Sequence, residues 1–151
     1  MNQDYIKRLL KEERLKIRSR DFQKIKSLLS ASQSNAEVVL SIELHEKSAT
    51  VIFREIYESI RQLGDAKWGI QGYEPLDHDI SLEILKNIPI KNKIELNFLD
   101  RFRKIRNDAN YRGFKVTELQ VKEIISFWNK GGLETIELIK KNLGNIFNRG
   151  G

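Results

Sequence analysis

Apolar residues recur at helical spacing along almost the whole chain, and no sustained apolar/polar alternation interrupts them. That period puts positions i, i+3, i+4 and i+7 on one face of an α-helix, whereas a half-buried strand alternates every second residue. The pattern predicts an all-α fold, an up-and-down bundle of four to five main helices plus short ones. At 151 residues, 40% hydrophobic and 32% charged, the chain can bury one core, so a single domain over 1–151 is expected.

Helix boundaries follow from breakers and caps. A first helix over about 3–12 carries Tyr5, Ile6, Leu9 and Leu10, followed by a charged connector. Asp21 is placed to cap a second helix through Ile25, Leu28, Leu29, Val38, Val39 and Ile42, and 43–47 reads as a tight connection. Ser48 is placed to cap a third helix with a core stripe of Ile52, Ile56, Ile60 and Leu63, widened by Val51, Phe53, Tyr57 and Trp68 and ended by Gly69 and Gly72. Residues 73–78 read as a loop, and a short helix around Leu82, Ile84 and Leu85 stops before Pro89. A helix over 92–110 would pack Ile94, Phe98, Phe102, Ile105 and Ala109 and break at Gly113. Thr117 and Gln120 form a capping box for a last helix, which Gly131-Gly132 should kink or split. Trp68 and Trp128 fall within apolar stripes and read as core, and 148–151 reads as a disordered tail.

The absence of cysteine excludes disulfides, thiol catalysis and thiolate-held zinc. No window approaches the roughly 20 apolar residues of a membrane span, and no secretory signal is visible, so a cytoplasmic protein without membrane association is expected. Abundant charge, Lys, Glu and Ile with scarce Pro would suit a thermophile. A net charge of +6 and a pI near 9.5 favour an anionic partner, with nucleic acid the first candidate. Much of the surplus sits in Lys7, Arg8, Lys11, Arg14, Lys16, Arg18, Arg20, Lys24 and Lys26. Such a run is more often a solvated helix face than a binding site.

The polar chemistry concentrates in 106–113, where a helix should end. Arg103, Arg106, Asn107 and Asn110 fall at i, i+3, i+4 and i+7 on one stripe. Extended backward, that stripe reaches Leu96 and Leu99, which implies a helix buried on two sides and a groove shared with another helix or a second subunit. Arginine presents a planar fork for phosphate oxygens, and asparagine both donates to and accepts from a base edge. The same groups are equally suited to bonding neighbouring helix ends.

The amphipathic helix around 53–61, the connector from Gly72-Tyr73 through His78 and the segment 99–107 resemble, in order and spacing, the HEPN domains. These are small all-α bundles of prokaryotic toxin–antitoxin and defence systems, many of them metal-independent ribonucleases. The family fingerprint is an Arg, usually followed by a polar residue such as Asn, and a His after four to six intervening residues. Arg106 and Asn107 match its start, and Tyr111 stands where the His would follow after four residues. The resemblance implies a homodimer with these residues lining the interface groove. It also implies an RNA or nucleotide ligand, and a minimal nucleotidyltransferase antitoxin as a possible partner. In some such systems that enzyme modifies a tyrosine beside the motif, to which Tyr111 is a loose positional match.

Cleaving RNA without metal requires activating a 2′-hydroxyl and protonating a leaving oxygen, tasks suited to a group titrating near neutrality. Tyrosine, with an unperturbed pKa of about 10, is a poor base but a serviceable proton donor or stacking platform. The catalytic candidates are Arg106, Asn107, Tyr111 and His78, with Arg103, Asn110, Arg112 and Arg61 as binding residues. Arg54, Glu58 and Asp65 read as ordinary ion-pairing positions, and His45 as a turn residue. The two histidines are far apart and lack ligand spacing, so neither metal nor cofactor is expected. A toxin-type endoribonuclease leads, a non-catalytic binding or assembly module partnered with a nucleotidyltransferase is the alternative, and a purely structural bundle is the third reading.

Overall fold

The computed structural model describes residues 1–149 as an all-α bundle gathered around one long central helix. The helices are α1 (Gln3–Lys11), α2 (Phe22–Leu40), α3 (Ala49–Ile70), α4 (His78–Glu83), α5 (Leu99–Tyr111), α6 (Glu118–Phe127) and α7 (Leu133–Arg149). α3 is apolar around most of its circumference and packs against α2, α4, α5, α6 and α7. Its Ile52, Phe53, Ile56, Ile60, Leu63 and Trp68 are all at most 1% exposed, and each such burial contributes about 1.5–3 kcal/mol. No described helix is long and apolar enough to cross a membrane.

The caps expected at Asp21 and Thr117 form: Asp21 Oδ1 accepts from the Lys24 amide at 3.0 Å, and Thr117 and Gln120 make the reciprocal box. Ser48 differs. Its hydroxyl accepts from the His45 amide and donates back to the Glu43 carbonyl, so it closes the preceding turn and caps no helix amide. His45 is also part of that turn, its Nδ1 accepting from the Lys47 amide at 3.2 Å. α2 stops at Leu40, leaving Val38 and Ile42 exposed outside the core stripe expected of them.

Three further expectations are corrected. The charged connector and the 73–78 loop hold a two-stranded antiparallel sheet of β1 (Leu15–Ile17) and β2 (Tyr73–Pro75), with Lys16 opposite Glu74. Three-residue strands are too short to display a period. Their pairing is instead held by the basic run: Arg14 donates to Asp77, Arg18 to Glu74, and Arg20 Nε to the Ile70 carbonyl at 2.7 Å. That run is therefore neither a plain solvated face nor wholly free for a ligand.

The 92–110 helix is two pieces, a 3₁₀ segment (Lys93–Phe98) leading into α5. At three residues per turn, i and i+3 eclipse, so Leu96 and Leu99 face the chain's own core while Ile94 and Phe98 point outward. Leu96 and Leu99 therefore give no evidence of a second partner. Gly131-Gly132 divide the last helix as expected: α6 and α7 are joined through one π turn (Trp128–Gly132) that seats the buried Trp128. α7 then runs through Arg149, so Asn148 and Arg149 are helical and not tail, while residues 150–151 of that expectation lie outside the described residues.

Candidate functional site

α4 and α5 both pack on α3 and bring their polar side chains to it, and a glycine sets the spacing of α3 and α4. A Cβ on Gly64, in the middle of α3, would stand 1.8 Å from the Ser81 carbonyl oxygen, so only glycine lets α4 lie this close. α4 is then fastened by the Trp68 indole, which donates to the Ile80 carbonyl at 2.8 Å, and by the Ser81 hydroxyl, which donates to Asp65 at 2.6 Å. Asp77 caps α4 through the Asp79 amide. His78 and Asp79 are the first two residues of α4.

Arg61 is fully engaged. Its guanidinium donates to both Glu58 oxygens, at 2.9 and 2.5 Å, and to Asp65 at 2.8 Å, with the side chain only 18% exposed. Burial pushes the Asp65 carboxyl above its usual range, and the Ser81 hydroxyl and Arg61 pull it back. Arg61 is a binding candidate that the structure gives a holding role. Arg61→Ala leaves the Glu58 and Asp65 carboxylates without their shared cation and is expected to cost about 2 kcal/mol in urea unfolding; unchanged stability would contradict this.

Arg103 is likewise committed, pairing with Asp79 at 3.4 Å across to α4 and with Asp100 at 3.5 Å on its own helix. Lys86 bridges Glu83 and Asp100 and extends that network. Arg106 stands apart from both. It is half-buried, its guanidinium carbon lies 5.8 Å from the centroid of the Tyr57 ring, and among the described residues its one side-chain hydrogen bond goes to the neutral Asn107 amide oxygen at 3.3 Å. Among the described residues no carboxylate lies within ion-pairing distance of it. The aromatic face fixes the fork's position without neutralising it.

Tyr57 was legible only as core, and it is 2% exposed, yet its ring also lies beneath the Arg106 guanidinium. Burial pushes its hydroxyl up to about 12, against the pull of Arg106, Arg103 and Arg61. Above pH 10 the unfolded chain loses that proton while the folded chain holds it to about 12, so stability falls as pH rises through this window. An alkaline titration of tyrosinate absorbance is expected to show one of the four tyrosines ionising last, and Tyr57→Phe should remove that step. A titration with all four ionising near 10 would contradict the buried assignment.

The remaining candidates are not gathered here. Tyr111 is 78% exposed at the end of α5, Asn110 is exposed beside it, and the Arg112 guanidinium lies 4.0 Å from Asp108 in open solvent. Gly113, at φ +70°, ends the helix as expected. His78 is exposed and lines a cavity of about 410 Å³ with Arg61, Asp65, Tyr73 and Ser81, whose lining does not include Arg106. Among the described residues no cluster of three His, Asp or Glu side chains has the arrangement of a metal site. The structure thus brings Arg106, Asn107, Arg103 and Arg61 together around Tyr57, with His78 at the edge. Asp65 pairs with Arg61, as its spacing suggested; missed in the sequence were the role of Tyr57 beneath Arg106, Ser81 and Gly64, and for Gly64 a glycine inside an otherwise strong helical pattern was the available signal. No protein-family model, curated protein or solved structure matches this chain.

Proposed function

We propose that this chain is a HEPN-like RNA- or nucleotide-binding bundle in which Arg106 grips a phosphate. The observation that carries the reading is the contrast among three neighbouring arginines. Arg61 and Arg103 are neutralised by carboxylates, whereas Arg106 is held over an aromatic ring with a neutral amide beside it. A half-desolvated guanidinium without a counter-ion attracts an anion more strongly than one already paired. Asn107 adds an amide donor that positions the same phosphate.

Binding without turnover is the reading the geometry favours, because the groups around Arg106 offer no base near neutrality: Tyr57 ionises only near 12. The endoribonuclease reading rests on His78, an exposed imidazole at the first position of α4. A homodimer and a nucleotidyltransferase partner belong to the proposal too. The exposed Ile94, Phe98 and Phe114 flank α5 and are the surface a second copy would cover, and the exposure of Tyr111 suits access by a modifying enzyme.

Labelled single-stranded and structured RNAs incubated with the protein in EDTA, then run on native and denaturing gels, separate these readings. Retention without new fragments is expected. Fragments that vanish in His78→Ala would establish the ribonuclease instead, and neither retention nor fragments would sink both.

A further inference from the structure

A second cleft lies where the connector before α2, the last turn of α3 and the outer face of α7 meet. It measures about 300 Å³ and is lined by Arg20, Lys67, Ile70, Gln71, Asn142, Asn145 and Ile146. Two cations and three amides face it, and its lining contains no carboxylate. Lys67 is half-buried, and among the described residues it has no ion-pair partner within 4 Å. Arg20 gives its Nε to the Ile70 carbonyl, and its terminal nitrogens have no partner among the described residues.

The carbonyl end of α3 carries roughly half a negative charge, and cations near it are stabilised. That offsets at most about half of one of the two positive charges and leaves the cleft with a surplus. Desolvation lowers the Lys67 pKa and no acid raises it, as expected for an ammonium whose counter-ion is not supplied by the protein. Asn142 and Asn145, one turn apart on α7, add amide donors, and Ile70 and Ile146 form an apolar wall beside them.

We infer that this cleft is a separate anion site that takes a phosphomonoester, with the attached group laid against the isoleucines. Lys67 lies ten residues beyond Tyr57, roughly 15 Å along α3, and roughly 120° around the helix from Arg61. The site is therefore distinct from the Arg106 cleft and does not depend on the function proposed for it. The phosphoryl group can come from a free mononucleotide or from the 5′ end of an RNA.

Calorimetric titration of the full chain with inorganic phosphate, AMP and adenosine tests this. Phosphate and AMP are expected to bind saturably and adenosine not at all. In the Arg106→Ala background, which removes the phosphate grip proposed for the other cleft, AMP is expected still to bind, and adding Lys67→Gln is expected to weaken it by about tenfold or more, since a charge-assisted contact is lost. Asn145→Leu, on the other wall, is a second variant with the same expected direction, and thermal melting of both variants reports that the fold holds. In the Arg106→Ala background, a short RNA with a 5′-phosphate compared with the same RNA ending in a 5′-hydroxyl identifies the source. Selective binding of the phosphorylated strand with no AMP binding would assign the site to RNA ends. No saturable binding of phosphate, AMP or phosphorylated RNA would overturn the inference. So would AMP affinity lost in Arg106→Ala but kept in Lys67→Gln, which would move the anion to the other cleft.

Discussion

Arg106→Ala protein is expected to fold and melt like wild type while binding single-stranded RNA about 10- to 100-fold more weakly. The two halves of that result have different causes. Stability is nearly unchanged because Arg106 has no carboxylate to leave stranded; its truncation removes only a contact with the Tyr57 ring and a 3.3 Å bond to its neighbour. The cation–π contact contributes about 0.5–1 kcal/mol where it is partly solvated. Affinity falls because a charge-assisted bond to phosphate is worth about 1.5–3 kcal/mol, which is the stated fold-change. Arg103→Ala is the matched control, since its charge is already balanced by Asp79 and Asp100. Equal affinity losses in both variants would show that the cleft acts through bulk positive charge and not through one guanidinium.

Gly64→Ala is expected to be the most destabilising single substitution near the site, lowering unfolding free energy by about 3 kcal/mol or more in urea titration. Helix propensity alone predicts the opposite sign, since alanine is favoured over glycine inside a helix by about 1 kcal/mol. The added methyl would stand 1.8 Å from the Ser81 carbonyl oxygen, against backbone that cannot yield without moving α4 off α3. That movement breaks the Trp68 bond to the Ile80 carbonyl and the Ser81 bond to Asp65. It also carries Asp79 away from Arg103, so the cleft should loosen with the fold. Gly144→Ala, with open space around its added Cβ, should be neutral or slightly stabilising and isolates the steric cause. A stable Gly64→Ala protein would refute the close approach of α3 and α4.

What the sequence disclosed depended on whether the governing interaction was local. The caps at Asp21 and Thr117 bond within three residues, and the apolar stripe of α3 repeats over 22 residues, so both could be read directly. The β1–β2 pairing joins residues 56 to 60 apart in the chain (Tyr73 against Ile17, Glu74 against Lys16, Pro75 against Leu15), and no three-residue pattern announces it. The phase of the 93–98 segment failed because a 3₁₀ turn replaced the 3.6-residue period, which reversed the sides assigned to Ile94 and Leu96. Within the site, Arg106 and Asn107 were legible as a polar pair closing a helix. Arg61 pairs at i−3 and i+4 with Glu58 and Asp65 of its own helix, positions whose spacing already read as ion-pairing, whereas the pairing of Arg103 with Asp79 was not legible, because Asp79 is placed by how α4 seats on Gly64.

The most direct test of phosphate recognition at Arg106 is the salt dependence of RNA affinity, measured by fluorescence polarisation for wild type and Arg106→Ala over a range of sodium chloride concentrations. Each phosphate neutralised on a single strand contributes a slope of about −0.7 in log affinity against log salt. Loss of Arg106 is therefore expected to flatten the wild-type slope by about that amount as well as to lower affinity. Parallel lines with coincident affinities would contradict the account, since Arg106 would then hold no phosphate.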